Sequence, residues 1–580
     1  MSAPAKTFKL ALLTSAILLA ACNNDDKDEP VNAPANLLLS NNQLAVVDAN
    51  TPGDGVANLG GITGLNSGDT LVSIDRRPRN GFLYGLGYNA TAGMVQLYAI
   101  HVDTTGGTNV SPKATPIGTA GSFVGSDGVT PVAIGNNSPS TTFDIDFNPF
   151  VDRLRVVSSL GENFRINPNT GALIDGNSNA NGTQMDGPTN VMGAPTPALA
   201  TAYTNSLFNT AFTTQYTVTG SALNIQNPPN NGTLISVGSL PPTLTGLRAL
   251  DILPDITVGQ SNAAASGLAH AIVQSGSSSA ISRIDLSNGR VVDTSVLPGI
   301  TNAIGLALQK PPAASVVALT GDGTGLLRFS ADAPGTVVMQ QIDTASLVSG
   351  DQLVGIDFRP ATGQLFAIGV NATNDTATVY RLDPQDGSLV AVGSPVSVTG
   401  DLPDPATADY GVDFNPVPDR IRVVTSNGLN LRFNPVDGTV VNDAPLTANS
   451  AAAGAGGAGY TNSVGNTTVT TLYVIDRSSG NLLIQNPPNN GVLSAPQRIS
   501  LNGSPLTIAA VGGFDIPADV RVTTSNAAVA SGSGFAALTV GSSTGLYKIN
   551  LVNGAATLIG TIGSGTTAIR GLALGQTHFR

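Results

Sequence analysis

The chain has 580 residues, 41% of them apolar, which is enough for several domains with hydrophobic cores. Charged residues make up only 11%, against a usual share of about 25%. The formal net charge is −12 and no basic run is present, which excludes nucleic-acid binding by phosphate neutralisation. No apolar pattern of helical period continues beyond residue 20, so a fold built from long helices is excluded as well.

Residues 1–21 have the pattern of a lipoprotein signal peptide. Lys6 and Lys9 precede an apolar stretch at 10–19, which is too short to span a bilayer. The stretch ends in LAAC at 19–22, which resembles the bacterial lipobox. The resemblance implies cleavage before Cys22 and lipid on its thiol, which would attach the chain to a membrane. The alternative is an ordinary secretory signal followed by an incidental cysteine.

Residues 22–35 form a charged, proline-containing tether, and we expect it to be disordered because it has almost nothing to bury. Cys22 is the only cysteine of the chain, so a disulfide within the chain is excluded. In bacteria that sort lipoproteins, Asp directly after the lipidated cysteine favours the inner membrane. Asn23 stands there instead, which favours an exported protein anchored in the outer membrane.

One short pattern recurs along the rest of the chain. A strand with alternating apolar residues ends in a glycine-containing turn, as in FRINPNTG at 164–171, RLDPQDG at 381–387 and LRFNPVDG at 431–438. Ten copies can be recognised, with successive centres 45 to 66 residues apart. Repetition at this period indicates one supersecondary unit that is used many times.

Each unit predicts four strands. Between residues 353 and 393, four alternating stretches at 353–358, 364–369, 378–383 and 388–393 are separated by tight-turn sequences. Four-stranded antiparallel units of about 50 residues are typical of propeller blades. The Ala/Gly-rich run at 451–459 predicts a flexible surface loop between two blades.

The units fall into two halves that align with each other. DFNP at 146–149 matches DFNP at 413–416, and IQNPPNNG at 225–232 recurs unchanged at 484–491. Each half begins with strands that match the second to fourth strands of a unit. Each half also ends with a lone first strand, at 303–308 and at 568–574, which predicts that the last strand closes the ring.

The sequence therefore predicts an all-β fold of two tandem β-propellers with five four-stranded blades each. The first covers 36–309, the second covers 316–580, and 310–315 form a stiff linker. A single ring of ten blades is the alternative, and it is disfavoured because propellers usually have about four to eight blades.

The repeated motifs resemble a known family. DFNPxxDR followed by (L/I)RVV, together with IQNPPNNG, is similar to the bacterial domain of unknown function 4394, and both halves match over nearly their full length. The resemblance implies a propeller-like all-β fold in an exported protein, and it implies no activity.

Carboxylates end several of the predicted first strands, which line the central channel of a propeller. Asp144 adds a second carboxylate beside Asp146, and its counterpart in the second half is Gly411. Asp144, Asp146 and Asp413 are the candidate ligands of a metal, and calcium is the cation that such oxygen ligands suit. The alternative is that each Asp hydrogen-bonds its own turn, which a structural repeat favours, so no cofactor is expected. The carboxylates at the strand ends are Asp75, Asp146, Asp251, Asp357, Asp413 and Asp515.

Two arginines occupy neighbouring predicted strands in each half. Together with Asn163 and Asn167 they would form an anion site; with Asp146 and Asp152 they would form ion pairs between blades. Because a buried arginine needs a partner and carboxylates are close in sequence, the structural pairing is favoured. The arginines are Arg155 with Arg165 in the first half and Arg422 with Arg432 in the second.

The sequence offers few candidate catalytic residues. The three histidines, His101, His270 and His578, share no equivalent place in the two halves, which argues against a zinc site, and no free thiol remains. The sequence thus indicates a non-enzymatic binding or scaffold module on a bacterial envelope, with a protein or glycan as ligand. The alternative is a metal-dependent hydrolase that uses the channel carboxylates.

Overall fold

The structure, a computed structural model, describes residues 33–102, 112–242, 244–309 and 315–575. The predicted signal peptide, Cys22, nearly all of the tether and residues 310–314 of the linker lie outside these ranges. Within them the chain is all-β and forms ten four-stranded antiparallel blades, five in each of two propellers. The helices of the described part are short 3₁₀ turns, and none has the length and apolarity needed to cross a membrane.

The first propeller is built from strands β1 to β24. Its blades are β24-β1-β2-β3, β4–β7, β10–β13, β16–β19 and β20–β23, and β8–β9 and β14–β15 are extra hairpins. The strands are β1 (Pro34–Leu39), β2 (Gln43–Asp48), β3 (Val56–Gly61), β4 (Thr70–Arg76), β5 (Leu83–Asn89), β6 (Met94–His101), β7 (Lys113–Gly121), β8 (Phe123–Val124), β9 (Pro131–Val132), β10 (Phe143–Asn148), β11 (Arg153–Ser158), β12 (Asn163–Ile166), β13 (Leu173–Ile174), β14 (Asn190–Val191), β15 (Ala194–Pro195), β16 (Ala200–Tyr203), β17 (Gln215–Val218), β18 (Ala222–Gln226), β19 (Leu234–Ser239), β20 (Thr245–Ile252), β21 (Leu268–Ser275), β22 (Ser278–Asp285), β23 (Val291–Val296) and β24 (Ala303–Leu308).

The second propeller repeats this order with strands β25 to β48. Its blades are β48-β25-β26-β27, β28–β31, β32–β35, β38–β41 and β44–β47, and the hairpins β36–β37 and β42–β43 extend the last two. The strands are β25 (Ser315–Thr320), β26 (Gly325–Ser330), β27 (Val338–Gln341), β28 (Gln352–Phe358), β29 (Leu365–Asn371), β30 (Thr376–Leu382), β31 (Leu389–Ser397), β32 (Tyr410–Asn415), β33 (Arg420–Thr425), β34 (Asn430–Phe433), β35 (Val440–Asn442), β36 (Thr447–Ala448), β37 (Ala451–Ala452), β38 (Gly457–Tyr460), β39 (Leu472–Asp476), β40 (Asn481–Gln485), β41 (Val492–Arg498), β42 (Ser500–Leu501), β43 (Ser504–Pro505), β44 (Ala510–Asp515), β45 (Ser533–Val540), β46 (Ser543–Asn550), β47 (Ala555–Thr561) and β48 (Ile569–Leu574).

Each ring is closed by the last strand of its own half. β24 pairs antiparallel with β1, placing Leu306 opposite Leu37, and β48 pairs with β25, placing Leu572 opposite Ala318. A ten-bladed ring would need β24 to pair with β25, so the structure excludes that alternative. Closure gives β1 and β25 a partner strand on both sides, so neither is left as a free sheet edge.

The hydrophobic cores lie between successive blades, and the two halves use the same packing. The ring of Tyr84 in β5 meets Phe147 in β10 edge-on at 5.2 Å, and Phe366 in β29 meets Phe414 in β32 at 5.5 Å. Because each blade is covered on both faces, most of its residues are buried, as in the fully buried strand β29. Edge-to-face aromatic pairs of this kind stabilise the fold by more than the burial of their apolar surface alone would.

Two boundaries differ from the sequence-based expectation. β1 begins at Pro34, so the last two residues of the predicted tether belong to a blade, and the linker's last residue, Ser315, begins β25. The run at 451–459 is not simply a loop, because it contains β37 and the start of the inner strand β38. A Cβ on Gly459 would lie 3.0 Å from Ile516 Cγ1 and 3.1 Å from the ring of Phe514, so a side chain there would make these two residues shift slightly.

The two propellers contact each other through turns that have the same place in their blades. These turns follow the first or the third strand of a blade. The side chain of Asn80 donates to the carbonyl of Gly363 at 2.8 Å, which joins the turns after β4 and β28. His101 Nε2 lies 2.7 Å from the carbonyl oxygen of Ala361. Since the inner strands end at this side, the mouths of both channels lie near the junction.

Candidate functional site

Arg155 and Arg165 share a single buried carboxylate. Arg155 Nη1 donates to Asp186 Oδ2 at 2.7 Å, and Arg165 donates through Nε and Nη2 to both oxygens at 2.7 Å each. The register of β11 and β12 places the two arginines opposite each other. Two guanidinium groups on one carboxylate leave a local charge of about +1, and Arg155 is only 2% exposed.

The repeated octapeptide supplies the remaining partners of Arg155. Arg155 Nη2 donates to Asn230 Oδ1 at 2.7 Å. Asn163 Oδ1 accepts from Arg155 Nη1 at 3.0 Å and from Gln226 Nε2 at 3.1 Å. IQNPPNNG therefore covers the arginine from the next blade, which explains in physical terms why the sequence repeats it.

The second half contains the same arrangement. Arg422 Nη1 and Arg432 Nε each donate to Asp443 Oδ2 at 2.6 Å, and Arg422 Nη2 donates to Asn489 Oδ1 at 2.8 Å. Asn430 Oδ1 accepts from Arg422 at 2.7 Å, as Asn163 does from Arg155. The duplication makes the cluster a property of the repeat.

The prediction that Asp146 and Asp152 pair with Arg155 and Arg165 was wrong. Asp152 forms a bidentate ion pair with Arg77, and Asp146 accepts from the backbone of the next blade. Asn167 also serves elsewhere, because its Oδ1 accepts from Asn169 N at 2.8 Å. The observed partners, Asp186 and Asp443, follow the fourth strand of the blade. Asp186 lies 21 residues after Arg165, whereas Asp443 lies 11 residues after Arg432. Because these separations differ, the two carboxylates do not line up when the halves are aligned.

A cleft of about 650 Å³ opens beside the first arginine cluster. This volume lies within the usual range of about 300–1,000 Å³ for ligand pockets. The first propeller provides most of the lining, and the second provides Gln385 from the turn after β30. The lining residues are Asn148, Val151, Arg153, Arg155, Arg165, Tyr203, Pro228, Pro229, Asn230, Asn231 and Gln385.

Arg153 carries a third positive charge at this cleft and faces the second propeller. Its guanidinium lies 3.8 Å from Asp383 and 3.4 Å from Asp386, and 18% of its side chain is exposed. The equivalent Arg420 donates to the nearby carbonyls of Pro418 and Asp419 and, in the described part of the chain, forms no ion pair with the first propeller. The sequence missed Arg153 and Gln385, because only the meeting of the propellers brings them into one site.

The channel carboxylates meet as two triads, one in each propeller. Within each triad, one carboxylate oxygen of every residue lies within 4.8 Å of the others, and all six residues are buried. Asp146 and Asp413 thus belong to different sites and cannot share an ion. The triads are Asp75, Asp146 and Asp251 in the first propeller and Asp357, Asp413 and Asp515 in the second.

Each triad carboxylate joins its blade to the next one. Asp75 Oδ1 accepts from Arg76 N at 2.6 Å, and its Oδ2 accepts from Phe147 N of the next blade at 2.8 Å. The expectation that each Asp serves only its own turn is therefore corrected. The other five make the same inter-blade bond at 2.6 to 3.2 Å, from Tyr203, Leu308, Phe414, Tyr460 and Leu574.

The triads gather like charges away from water. Burial raises the pKa of Asp75 and of Asp515 to about 7, and burial together with neighbouring carboxylates raises the pKa of Asp146 and Asp413 well above the usual range. Three such groups therefore hold protons at moderately acidic pH or take up a cation. Calcium needs about six to eight oxygens, and the triads supply few that no backbone N–H already occupies.

Asp144 lies outside the triads. Its Oδ1 accepts from Ser73 Oγ at 2.8 Å, and its Oδ2 accepts from Thr201 N at 3.0 Å and Leu250 N at 3.1 Å. Burial raises its pKa to about 8. Asp144 thus links three neighbouring strands, and the structure does not join it to Asp146 in one ligand set.

The described histidines do not form a catalytic group. His101 lies at the junction of the propellers, and His270 is 2% exposed with both ring nitrogens unpartnered. Burial lowers the pKa of each to about 4, so both are neutral at pH 7. His578 lies outside the described residues.

A family model with the description "Domain of unknown function (DUF4394)" matches residues 43–307 and again 325–573. The chain belongs to this family. Each DUF4394 copy begins at or next to the third strand of the blade that closes its ring, at Gln43 or Gly325, and ends within the closing strand, β24 or β48. A search of curated proteins gave no match.

Solved structures resemble this DUF4394 protein only distantly. Hydrazine synthase from Kuenenia stuttgartiensis is 13% identical, with 72% of this chain and 95% of that chain covered and a TM-score of 0.21. AztD from Citrobacter koseri is 13% identical, with 82% and 96% covered and a TM-score of 0.20. The Dos1 propeller is 11% identical, with 71% and 91% covered and a TM-score of 0.22. Scores this low carry no argument about function.

Proposed function

We propose that this protein is a non-enzymatic binding module of the bacterial cell envelope, and that its ligand is an acidic glycan held in the cleft between the propellers. The observation that carries the proposal is the convergence of three arginines in one cleft of about 650 Å³. Guanidinium groups bind carboxylates through paired N–H donors. The amides of Asn148 and Asn231 add partners suited to sugar hydroxyls.

The surplus positive charge of the Arg155–Arg165–Asp186 cluster supports an anionic ligand, even though Arg153 lies beside Asp383 and Asp386 and the chain carries a net charge of −12. Arg155 and Arg165 share one carboxylate, and Arg165 Nη1 donates to no group among the described residues. Salt screens charges beyond about 8 Å at physiological ionic strength, so distant acidic groups weaken this local attraction little.

The same lining argues against catalysis. Among its described residues there is no histidine, carboxylate, serine or cysteine, and the hydroxyl of Tyr203 donates to Gln215 at 2.8 Å. A metal-dependent hydrolase built on the triads is disfavoured, because their oxygens accept inter-blade hydrogen bonds. The proposal therefore needs no cofactor.

The cleft is tested by replacing Arg153 with alanine. Calorimetric titration of the full chain with an oligogalacturonate, at roughly 50 and 300 mM salt, should show binding that weakens with salt. Arg153→Ala should weaken it by fivefold or more, because one charge-assisted contact is lost. Arg420→Ala is the matched control, because Arg420 donates to the carbonyl of Asp419 as Arg153 does to that of Asp152 and does not face the cleft. The Arg420→Ala variant should bind the oligogalacturonate as tightly as wild type.

Two outcomes would count against the glycan. Equal binding of neutral dextran would show that charge does not select the ligand. Binding of poly-glutamate without binding of the oligogalacturonate would favour an acidic protein as the partner.

The attachment to the envelope is tested at Cys22. The proposal places a lipid on its thiol and the protein in the outer membrane, so Cys22→Ser should release it into the soluble fraction or block its maturation. Fractionation followed by immunoblotting measures this. A variant as firmly bound to membranes as wild type would contradict the lipid anchor.

A further inference from the structure

Two buried arginines meet at the junction, one from each propeller. Arg79 is 3% exposed and Arg328 is 8% exposed. Both donate to the same neutral acceptor, Gln385 Oε1, from Arg328 Nη1 at 3.3 Å and from Arg79 Nη2 at a shorter distance. The Nε of each is buried and has no hydrogen-bond partner among the residues that the structure describes. Two cations thus share one uncharged oxygen and leave two buried donors unused.

The nearby carboxylates are engaged elsewhere. Asp152 lies 3.8 Å from Arg79 Nε, but its two oxygens hold Arg77 in a bidentate pair. Asp383 lies 3.8 Å from Arg153. Within the described ranges, then, the positive charge at this point of the junction is incompletely balanced.

The surroundings of Arg79 only partly offset its burial. Its guanidinium lies 5.7 Å from the centroid of Phe208, and Nη1 donates to the carbonyl of Phe208 at 3.1 Å. The attraction of a cation to an aromatic ring is weaker than the cost of burying an ion. Burial accordingly lowers the pKa of Arg79 to about 10 and also lowers that of Arg328.

Neither arginine is required to build a blade. The turn after β4 reads Arg77-Pro78-Arg79, whereas the equivalent turn after β28 reads RPA at 359–361, with Ala361 in place of Arg79. Arg328 in β26 has Val46 in β2 as its counterpart. By contrast, the pair of Arg77 and Asp152 recurs as Arg359 and Asp419, so that pair is structural in both halves.

We propose that a small inorganic anion binds between Arg79 and Arg328 and bridges the two propellers. Chloride, sulfate and phosphate share the chemistry that such a site takes, a compact negative charge that accepts N–H donors from guanidinium groups. The anion balances the charge at the junction, accepts from the two unused Nε–H groups, and adds a link between the halves. The site adjoins the glycan cleft at Gln385, which lines the cleft and accepts from both arginines, but neither Arg79 nor Arg328 belongs to the cleft lining.

The test is a set of calorimetric melts of the full chain in sodium chloride, sulfate or phosphate, each compared with sodium gluconate at equal ionic strength. Gluconate is too large to enter a buried site, so it reports the ionic-strength effect alone. At least one small anion should raise the Tm of wild type in a saturable way, by roughly 2 °C or more, because a ligand of the native state stabilises it by mass action.

Arg79→Ala and Arg328→Val should abolish this rise. Each installs the residue found at the equivalent position of the other half, so folding is expected and is checked by circular dichroism. Arg420→Ala should keep the rise, because Arg420 donates to the carbonyls of Pro418 and Asp419 and not to Gln385. If either junction variant fails to fold, bromide-soaked crystals of wild type give a second measurement, an anomalous peak in contact with both arginines.

The proposal is overturned if wild type gains no stability over the gluconate series. It is equally overturned if the folded junction variants keep the rise, if Arg420→Ala loses it, or if the bromide map is empty at the junction.

Discussion

The stability of this protein is expected to fall as the pH rises from about 4 to about 8. The triad carboxyls have raised pKa values in the native state, to about 7 for Asp75 and Asp515. The native state therefore keeps protons that the unfolded state releases near pH 4. The stabilisation is complete below the unfolded pKa and is lost as the pH passes the native pKa.

The size of this loss follows from the shifts. One pKa unit corresponds to about 1.4 kcal/mol, so a rise from 3.8 to about 7 is worth roughly 4 kcal/mol for Asp515. His101 and His270 act in the opposite direction, since their native pKa is lowered to about 4 and their contribution is lost as the pH falls below about 6.5. The raised carboxyls outnumber these histidines, so the fall with rising pH should dominate.

Melts of wild type, Asp75→Asn and Asp515→Asn between pH 4 and 8 measure the effect. Each substitution removes one titrating carboxyl, so the Tm of each variant should depend less on pH than that of wild type. Asp75→Asn tests the triad of the first propeller, and Asp515→Asn tests that of the second. Calcium or a chelator should leave the wild-type melt at pH 8 unchanged. A calcium-dependent rise that disappears in Asp146→Ala would contradict this and would identify the triad as a cation site.

Replacing Asp186 with alanine is expected to cost roughly 3–5 kcal/mol. The change leaves Arg155 and Arg165 without their shared carboxylate, and removing one partner of a buried ion pair leaves an uncompensated charge. The side chain of Asp186 is fully shielded from solvent, so water cannot readily compensate. Urea unfolding of the full chain measures the change.

Asp437→Ala is the control for Asp186→Ala. Asp437 is exposed in the turn after β34 and accepts from Thr439 N at 3.0 Å, so its loss should change stability by less than about 1 kcal/mol. Asp443→Ala should repeat the large effect in the second propeller, because Asp443 holds Arg422 and Arg432 in the same way. Equal, small effects of all three changes would show that the arginine clusters contribute little to stability.

The sequence alone determined the blade and its repetition, and it favoured two rings that each close on their own last strand. Alternating apolar residues and glycine-containing turns act within one unit, so FRINPNTG at 164–171 already predicts the strand β12 and the turn that follows it. The lone first strand at 303–308 could complete the blade of β1 or that of β25, and the pairing with β1, which the usual number of blades favours, is the one observed. These features depend on neighbours in the chain, and their repetition made them visible.

The tertiary structure alone decided which groups meet. Asp186 reaches Arg165 from an irregular segment whose length differs between the halves, so no repeat pattern marks it. Arg79 and Gln385 stand 306 residues apart and lie in contact only because two closed rings pack against each other. The packing of whole blades and rings decides which distant residues meet. The sequence around a charged residue or an amide therefore does not identify its partner.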